Sequence, residues 1–284
     1  MSTETDNPGR LTVLPRSPMV ASAVTRMIGY RTPPTVGGVH RGLPSPYLTL
    51  VFSLSGPLPI EVPFGASRQS GHYAIPVGGL HTRPVLLPQL PGPTGAQDQR
   101  GIQLAVHPFA AHALFGLPAI ELADEVLELG DLVRGSADLR DRLAGAVDAR
   151  TAVEVVGSWL DERLRSRPAA PVPAELRRAW QLIVGSGGRL RIADVARDVG
   201  WSRRHLTSRM RSETGFSAKD LARVSRFQRS RSMIATSRPA LASVAADCGY
   251  ADQSHLSAEW REFAACTPTQ WIAAELPAFA DSTA

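Results

Sequence analysis

Between positions 203 and 211 the chain carries Arg203, Arg204, Thr207, Ser208, Arg209 and Arg211. Guanidinium forks pair with phosphate oxygens or with guanine O6 and N7, and hydroxyls add hydrogen bonds to backbone or base edge. The bland alternative is a solvated helix surface. How the segment folds decides what these groups can reach. Ile192, Val195, Ala196 and Val199 fall at helical spacing, giving one short amphipathic helix. Gly200 follows, where a helix ends and the backbone turns left-handed. Ser202 can cap a second helix. Leu206 and Met210, four apart, share its core side, and the four arginines project elsewhere. Helix, tight turn and second helix with a cationic face is the pattern of a helix-turn-helix. It is also that of an ordinary helical hairpin with solvated charges.

A repeat favours the first of these. Ala196-x-x-x-Gly200-Trp201 recurs 49 residues later as Ala245-x-x-x-Gly249-Tyr250. With an offset of 50, His205-Leu206-Thr207 recurs as His255-Leu256-Ser257, Met210-Arg211 as Trp260-Arg261, and Ser217 as Thr267. The second copy offers Gln253, Ser254, Ser257 and Arg261 as its polar groups. Its only arginine is Arg261. A generic helical bundle does not repeat the same turn chemistry twice.

Charge is distributed unevenly around the repeat. Residues 189–238 hold 13 Lys and Arg against 4 acids, net +9, whereas residues 239–284 hold one Arg and six acids, net −5. Residues 1–168 balance at 15 of each sign. A concentrated basic block is the footprint of a polyanionic partner. Lys219 is the only lysine, so arginine carries nearly all of the positive charge.

These segments resemble the AraC/XylS family of transcription regulators. The resemblance rests on the repeated Ala-x-x-x-Gly turn, on Glu213-Thr214-Gly215-Phe216-Ser217, and on Arg226-Phe227. Gly249-Tyr250-Ala251-Asp252-Gln253-Ser254-His255-Leu256 and Thr267-Pro268-Thr269-Gln270-Trp271 complete it. It spans roughly 174–275. The chain has Ser208 and Ala258 where the family usually has Arg, and Ala265 where it usually has Gly. The resemblance implies two helix-turn-helix subdomains joined by a linker helix at about 217–236, with Leu221, Val224, Phe227, Met233 and Ile234 as its buried stripe. Arg223, Arg226, Arg229 and Arg231 are expected to be mostly solvated, with one structural at the family position Arg226 and one on phosphate. It also implies base-facing positions at Arg204, Thr207 and Ser208, and at Gln253, Ser254 and Ala258, with the helices reading major grooves about 34 Å apart. Arg204 suits guanine and Gln253 suits adenine. His205 and His255 are expected to pack beside Leu206 and Leu256, with phosphate contact as the alternative.

The N-terminal half must position or control that domain. From Met19 to Leu104, short apolar runs lie between Gly and Pro clusters, which predicts strands. They include Tyr47–Leu54, Pro59–Val62, His72–Val77, Pro84–Leu87 and Ile102–Val106, with a Pro/Gly-rich loop from Leu90 to Gly101. Helices are expected from Pro108 to Leu114, from Leu129 to about Leu143, and from Thr151 to Arg165. This half looks like a cupin-like sensor, through His40-Arg41-Gly42-Leu43-Pro44-Ser45, Gly101-Ile102-Gln103 and Leu117-Pro118-Ala119. The expected fold is therefore α+β. A disordered arm at 1–18 precedes a cupin-like barrel with flanking helices at 19–167. A proline-rich linker at 168–173 leads to the all-α double helix-turn-helix domain at 174–275 and a tail at 276–284.

Catalytic alternatives find little support. His40, His72, His81, His107 and His112 lack the closely paired His and following Glu of a cupin metal site, so hydrogen-bonded or pocket-lining histidines are expected. Asp124, Glu125 and Glu128 fit a solvated helix start better than acid/base chemistry. A methyl-acceptor repair enzyme fused to such hairpins would need a four-cysteine zinc site. Cys248 and Cys266, the only cysteines, both lie in the second repeat and are expected to be buried. No P-loop, G-x-S-x-G or G-x-G-x-x-G occurs. No enzyme activity, cofactor or metal is expected. The expected partners are double-stranded promoter DNA and RNA polymerase, with a small-molecule effector or a homodimer contact at the N-terminal half. No signal peptide or membrane span is apparent, which fits a bacterial cytoplasmic protein.

Overall fold

Runs bounded by Gly and Pro become strands when alternate side chains can be buried on one face. The computed structural model describes residues 3–7, 10–13, 17–32, 38–64, 69–88, 99–167 and 171–275. The N-terminal half forms, in order, β1 (Thr3–Asn7), β2 (Arg10–Val13), α1 (Pro18–Ala23), β3 (Val24–Thr32), β4 (Val39–Gly42), β5 (Leu48–Ser53) and β6 (Leu58–Val62). There follow β7 (Gln69–Tyr73), β8 (Pro76–Gly78), β9 (Val85–Pro88), β10 (Gln99–Val106), α2 (Ala111–Phe115), β11 (Val126–Glu128), α3 (Leu129–Leu132), α4 (Ser136–Ala144) and α5 (Ala149–Ser166). Short 3-10 turns at Pro108–Ala110 and Ala119–Leu122 flank α2.

The expected barrel is instead two antiparallel sheets that do not close. The larger has the order β1-β2-β3-β10-β5-β8-β11 and the smaller β4-β9-β6-β7. In β5, Leu48, Leu50 and Phe52 are fully buried while Thr49, Val51 and Ser53 alternate to the other face. The first set joins Ile102, Leu104 and Val106 of β10 beneath the helices, where Phe52 meets Trp159 of α5 edge-on at 5.9 Å. Val51 packs on the opposite side with Leu58, Ile60, Val62, Phe64, Val85 and Val126, a second core between the sheets. At the bend between β7 and β8, a side chain replaces the ladder that closure would need. The Glu128 carboxylate accepts from the amides of Ala74 at 2.8 Å and Ile75 at 3.0 Å. Glu128 is thus a structural clamp, not part of a solvated helix start.

The arm at 1–18 departs from expectation in its described part. β1 and β2 form a hairpin, and β2 pairs antiparallel with β3 from Arg10 opposite Tyr30 to Val13 opposite Met27. β3 is paired on its other side by β10, so the hairpin takes up the one edge of β3 that β10 leaves open. The expected tail at 276–284 and residues 168–170 of the linker lie outside the described residues.

The C-terminal half is helical: α6 (Ala174–Gly185), α7 (Ile192–Asp198), α8 (Arg203–Thr214), α9 (Ala218–Ser237), α10 (Leu241–Cys248), α11 (Gln253–Ala264) and α12 (Pro268–Glu275). α9 is the linker helix, started by a capping box between Ser217 and Asp220. Its Leu221, Val224, Phe227 and Ile234 are buried, with Met233 packed partly against the same core. The turn from α6 to α7 sits on this helix. Gly188 has φ +73°, and a Cβ there would lie 1.9 Å from the Ala222 carbonyl oxygen. Only glycine allows that approach.

Each sheet of the N-terminal half holds a different part of the helical half. His107, just past β10, and Phe109, in the 3-10 turn that follows, meet Trp180 of α6 tilted and edge-on, with ring centroids 5.6 and 5.5 Å apart. Ala123 lies under Gly215, at the end of α8, close enough that a Cβ on that glycine would be 2.6 Å away. From the smaller sheet, His40 and Arg41 of β4 engage Glu275, the last residue of α12.

Candidate nucleic-acid interface

The repeated Ala-x-x-x-Gly-aromatic sequence is a helix stop followed by a restart. In the first copy the Trp201 amide donates to the Ala196 carbonyl at 2.8 Å and the Gly200 amide to Arg197 at 3.1 Å. In the second, Tyr250 donates to Ala245 at 2.8 Å and Gly249 to Ala246 at 3.1 Å. These paired bonds are the Schellman arrangement, which satisfies the last carbonyls of a helix once one residue turns left-handed. Gly200 and Gly249 supply it at φ +72° and +78°. Ala196 and Ala245 are buried, leaving no room for a larger residue where the two helices of each pair approach.

Each recognition helix is then capped. The Ser202 hydroxyl accepts from the His205 amide at 3.1 Å, and the Asp252 carboxylate from the His255 amide at 2.7 Å. The two histidines share a further role. His205 packs edge-on against Trp201 at 4.6 Å and His255 against Tyr250 at 5.3 Å. Both residues are otherwise exposed, so each braces its turn from outside rather than filling the core beside Leu206 or Leu256.

Behind these helices Leu206, Met210, Leu256 and Trp260 are fully buried. Trp260 donates from Nε1 to the Ser230 hydroxyl of α9 at 3.0 Å and lies 4.9 Å from the Phe227 ring. Burying such rings contributes about 2–3 kcal/mol each, so the outward face is fixed by what is buried behind it. That face carries Arg203, Arg204, Ser208 and Arg211 on α8, all exposed, with Thr207 half-buried. On α11 it carries Gln253, Ser254, Ala258 and Arg261, exposed, with Ser257 half-buried.

Not every arginine is free to leave the protein. Arg203, Arg204 and Arg211 make no ion pair among the described residues. Arg209 points back along α8 to Glu213 at 2.9 Å and is half-buried. Arg223, expected to be solvated, is held by two acids of α11. Its Nε donates to Glu259 at 2.8 Å, and its Nη1 to Glu262 at 3.1 Å. Arg226 stacks on Tyr250, 5.3 Å from the ring centroid.

These pairings change the meaning of the net −5 after residue 239. Glu259 and Glu262 share the single positive charge of Arg223 from the basic block, Glu275 is paired with Arg41 and bonded by His40, and Asp252 caps α11 while keeping its charge. The second subdomain therefore presents less negative charge than its composition indicates, with Arg223 and Arg41 each offsetting one acid. Sequence reasoning missed Arg223, Glu259 and Glu262 because an arginine on a linker helix looks solvated until its partner is placed.

The remaining candidates scatter. Among the described residues no group of three or more His, Cys, Asp or Glu is placed to hold a metal. His81 and His107 are each pushed down to about 4, chiefly by burial, His107 also by the charge of Arg177. His40 belongs to the Glu275 contact. Cys248 and Cys266 are free and buried, and burial pushes both thiols up. No helix among the described residues is long and apolar enough to cross a membrane.

Residues 176–274 match the family described as a helix-turn-helix domain. The chain carries a helix-turn-helix domain of the AraC type. That domain is of a DNA-binding type. The whole chain is similar in fold to ToxT from Vibrio cholerae. An apo ToxT variant is 12% identical, with TM-score 0.54, over 87% of this chain and 97% of that one. ToxT bound to an unsaturated fatty acid is 12% identical, with TM-score 0.52, over 96% and 97%. At that identity the likeness is one of fold: a β-rich half followed by a helical half. An AraC-type regulator from Chromobacterium violaceum aligns at 24% identity, with TM-score 0.33, over 35% of this chain and 89% of that one. No curated protein sequence matches the chain.

Proposed function

We propose that α8 and α11 enter successive major grooves of double-stranded promoter DNA, and that the β-rich half modulates this binding through a small molecule or a homodimer contact. The observation that carries it is the duplicated, capped hairpin on one continuous linker helix, each copy turning a polar helix face outward. Arg204 is the guanine-reading group and Gln253 the adenine-reading group. Thr207, Ser208, Ser254 and Ser257 supply further hydrogen bonds. Arg203, Arg211 and Arg261 fix register on phosphates, and Arg209 contributes after releasing Glu213. RNA polymerase enters this reading as the protein on which a promoter-bound regulator acts.

Modulation is supported by the grip of the two sheets on the two subdomains. A ligand that moves one sheet against the other would shift His107–Trp180 and Glu275–His40 unequally. On this reading the ligand would sit at the inter-sheet face. By register, Arg26, Ile28 and Tyr30 lie on the side of Val51, away from the helix-covered core. Burial pushes the Tyr30 phenol up to about 12, so it remains a hydrogen-bond donor. ToxT structures hold an unsaturated fatty acid or (E)-4-(8-methylnaphthalen-1-yl)but-3-enoic acid. Apolar carboxylates are accordingly the first ligand class to test.

The test of DNA reading is selection of bound duplexes from a randomised library by the full-length protein. Two enriched patches about one helical turn apart, roughly 10.5 base pairs, are expected. Recovery of unenriched sequence would show that the helices bind without reading.

A further inference from the structure

We propose that Arg223 is a positioning residue for the second recognition helix, setting the angle at which α11 meets its groove without touching DNA itself. The inference rests on the two-groove reading above.

Arg223 lies on α9, and its guanidinium engages α11 on three sides. Nε donates to Glu259 at 2.8 Å, Nη1 and Nη2 bond the two oxygens of Glu262, and the carbon lies 4.8 Å from the Phe263 ring centroid. Glu259 is buried and Arg223 half-buried, so water screens this fork less than it would an exposed pair. The three partners follow one another at helical spacing and define a stripe along α11. A planar guanidinium forked against two carboxylates fixes direction as well as distance, which a point charge does not. The stripe lies on the linker side of α11, and the exposed Gln253, Ser254, Ala258 and Arg261 occupy the remaining surface. Rotating α11 to relieve a lost fork would therefore swing those side chains.

The first subdomain has no counterpart. Glu259 and Glu262 occupy the positions that Arg209 and Ser212 occupy in the repeat, and Arg209 pairs within its own helix. α8 is instead held by the fully buried Leu206 and Met210 and by Ala123 beneath Gly215. The fork is thus specific to α11, and its loss should be felt in one half of the operator.

The experiment is selection from a randomised duplex library by the full-length protein and by Arg223→Met, Arg223→Lys and Glu259→Gln/Glu262→Gln, with thermal melting of each. Wild type is expected to enrich two patches. Arg223→Met and the double glutamine variant should flatten the patch read by α11, identified as the one altered by Gln253→Ala, and leave the other intact. Arg223→Lys should lie between. Affinity for the wild-type operator should fall on the order of tenfold in Arg223→Met, with no further loss when all three changes are combined. A uniformly structural role would weaken both patches together and follow the melting temperature; that result overturns the proposal. So does retention of both patches in Arg223→Met, or full retention in Arg223→Lys beside complete loss in Arg223→Met. A wild-type selection with a single patch overturns the two-groove reading itself, and the positioning role with it.

Discussion

Replacing Gly188 with alanine should separate the first helix-turn-helix from the linker helix, whereas the same change at Gly200 should not. Both residues are left-handed, with φ +73° and +72°. A Cβ in that region costs about 1 kcal/mol by itself. At Gly200 nothing lies within 4 Å of the new carbon, so the conformational cost is the whole cost. At Gly188 the carbon would stand 1.9 Å from the Ala222 oxygen, 2.8 Å from its carbonyl carbon and 3.1 Å from the Arg226 nitrogen. These are backbone atoms of a continuous helix and cannot rotate away. Moving the α6–α7 turn outward by more than an ångström opens the packing of Val195 and Trp180 against the shared core. An overpacking penalty of about 3 kcal/mol added to the conformational cost gives a total of about 4 kcal/mol. The assay is chemical denaturation of the full chain followed by tryptophan fluorescence, with DNA affinity measured in parallel. Gly188→Ala should lose most of its stability margin and its DNA binding, and Gly200→Ala should lose about 1 kcal/mol. Equal losses in the two variants would refute the reasoning from close approach.

Three further outcomes are expected. Ala265 ends α11 at φ +53°, so Ala265→Gly should stabilise the protein by about 1 kcal/mol, read as a higher melting temperature; an unchanged or lower value would contradict it. With Arg203, Arg211 and Arg261 on phosphates and Arg209 joining them after releasing Glu213, about four phosphates should be neutralised, giving a slope of log K against log salt near −4. Arg203→Ala/Arg211→Ala should reduce that slope by about 2, and a slope near zero in the wild type would exclude phosphate neutralisation. His107 titrates near 6.5 when unfolded and near 4 when folded, so in between the unfolded chain holds more protons. Its stabilising contribution is whole above 6.5 and is lost as pH falls toward 4, with His81 acting in the same direction. The melting temperature should fall with acid over that window. His107→Asn, which can still accept at the Phe109 amide, should flatten the fall; an unchanged profile would show that His107 is not responsible.

What could be read from the sequence was what depends on neighbours along the chain. The two turns, their glycines, the Ser202 cap and the buried stripe of α9 follow from spacings of three to five residues, and they fold as expected. The β-rich half was legible as strands but not as sheets. Pairing joins β3 to β10 across most of the domain, and no local pattern says that the Glu128 side chain will take the place of a closing ladder. The β1–β2 hairpin was unreadable for the same reason, since only the free edge of β3 gives that polar segment a partner. At the interface, composition misled about the second subdomain. Three of its acids are held from far along the chain, Glu259 and Glu262 by Arg223, 36 and 39 positions away on α9, and Glu275 by β4. A count of charges along the chain cannot see that pairing.

Two-groove reading needs both α8 and α11 of one chain on the DNA. It is tested most directly by guanine-methylation interference on the selected operator, with the wild-type protein and with Arg204→Ala. Interference in two clusters on one face of the duplex, about one turn apart, is predicted, with Arg204→Ala erasing one guanine of one cluster. A single cluster, or two clusters both indifferent to Arg204, would contradict it.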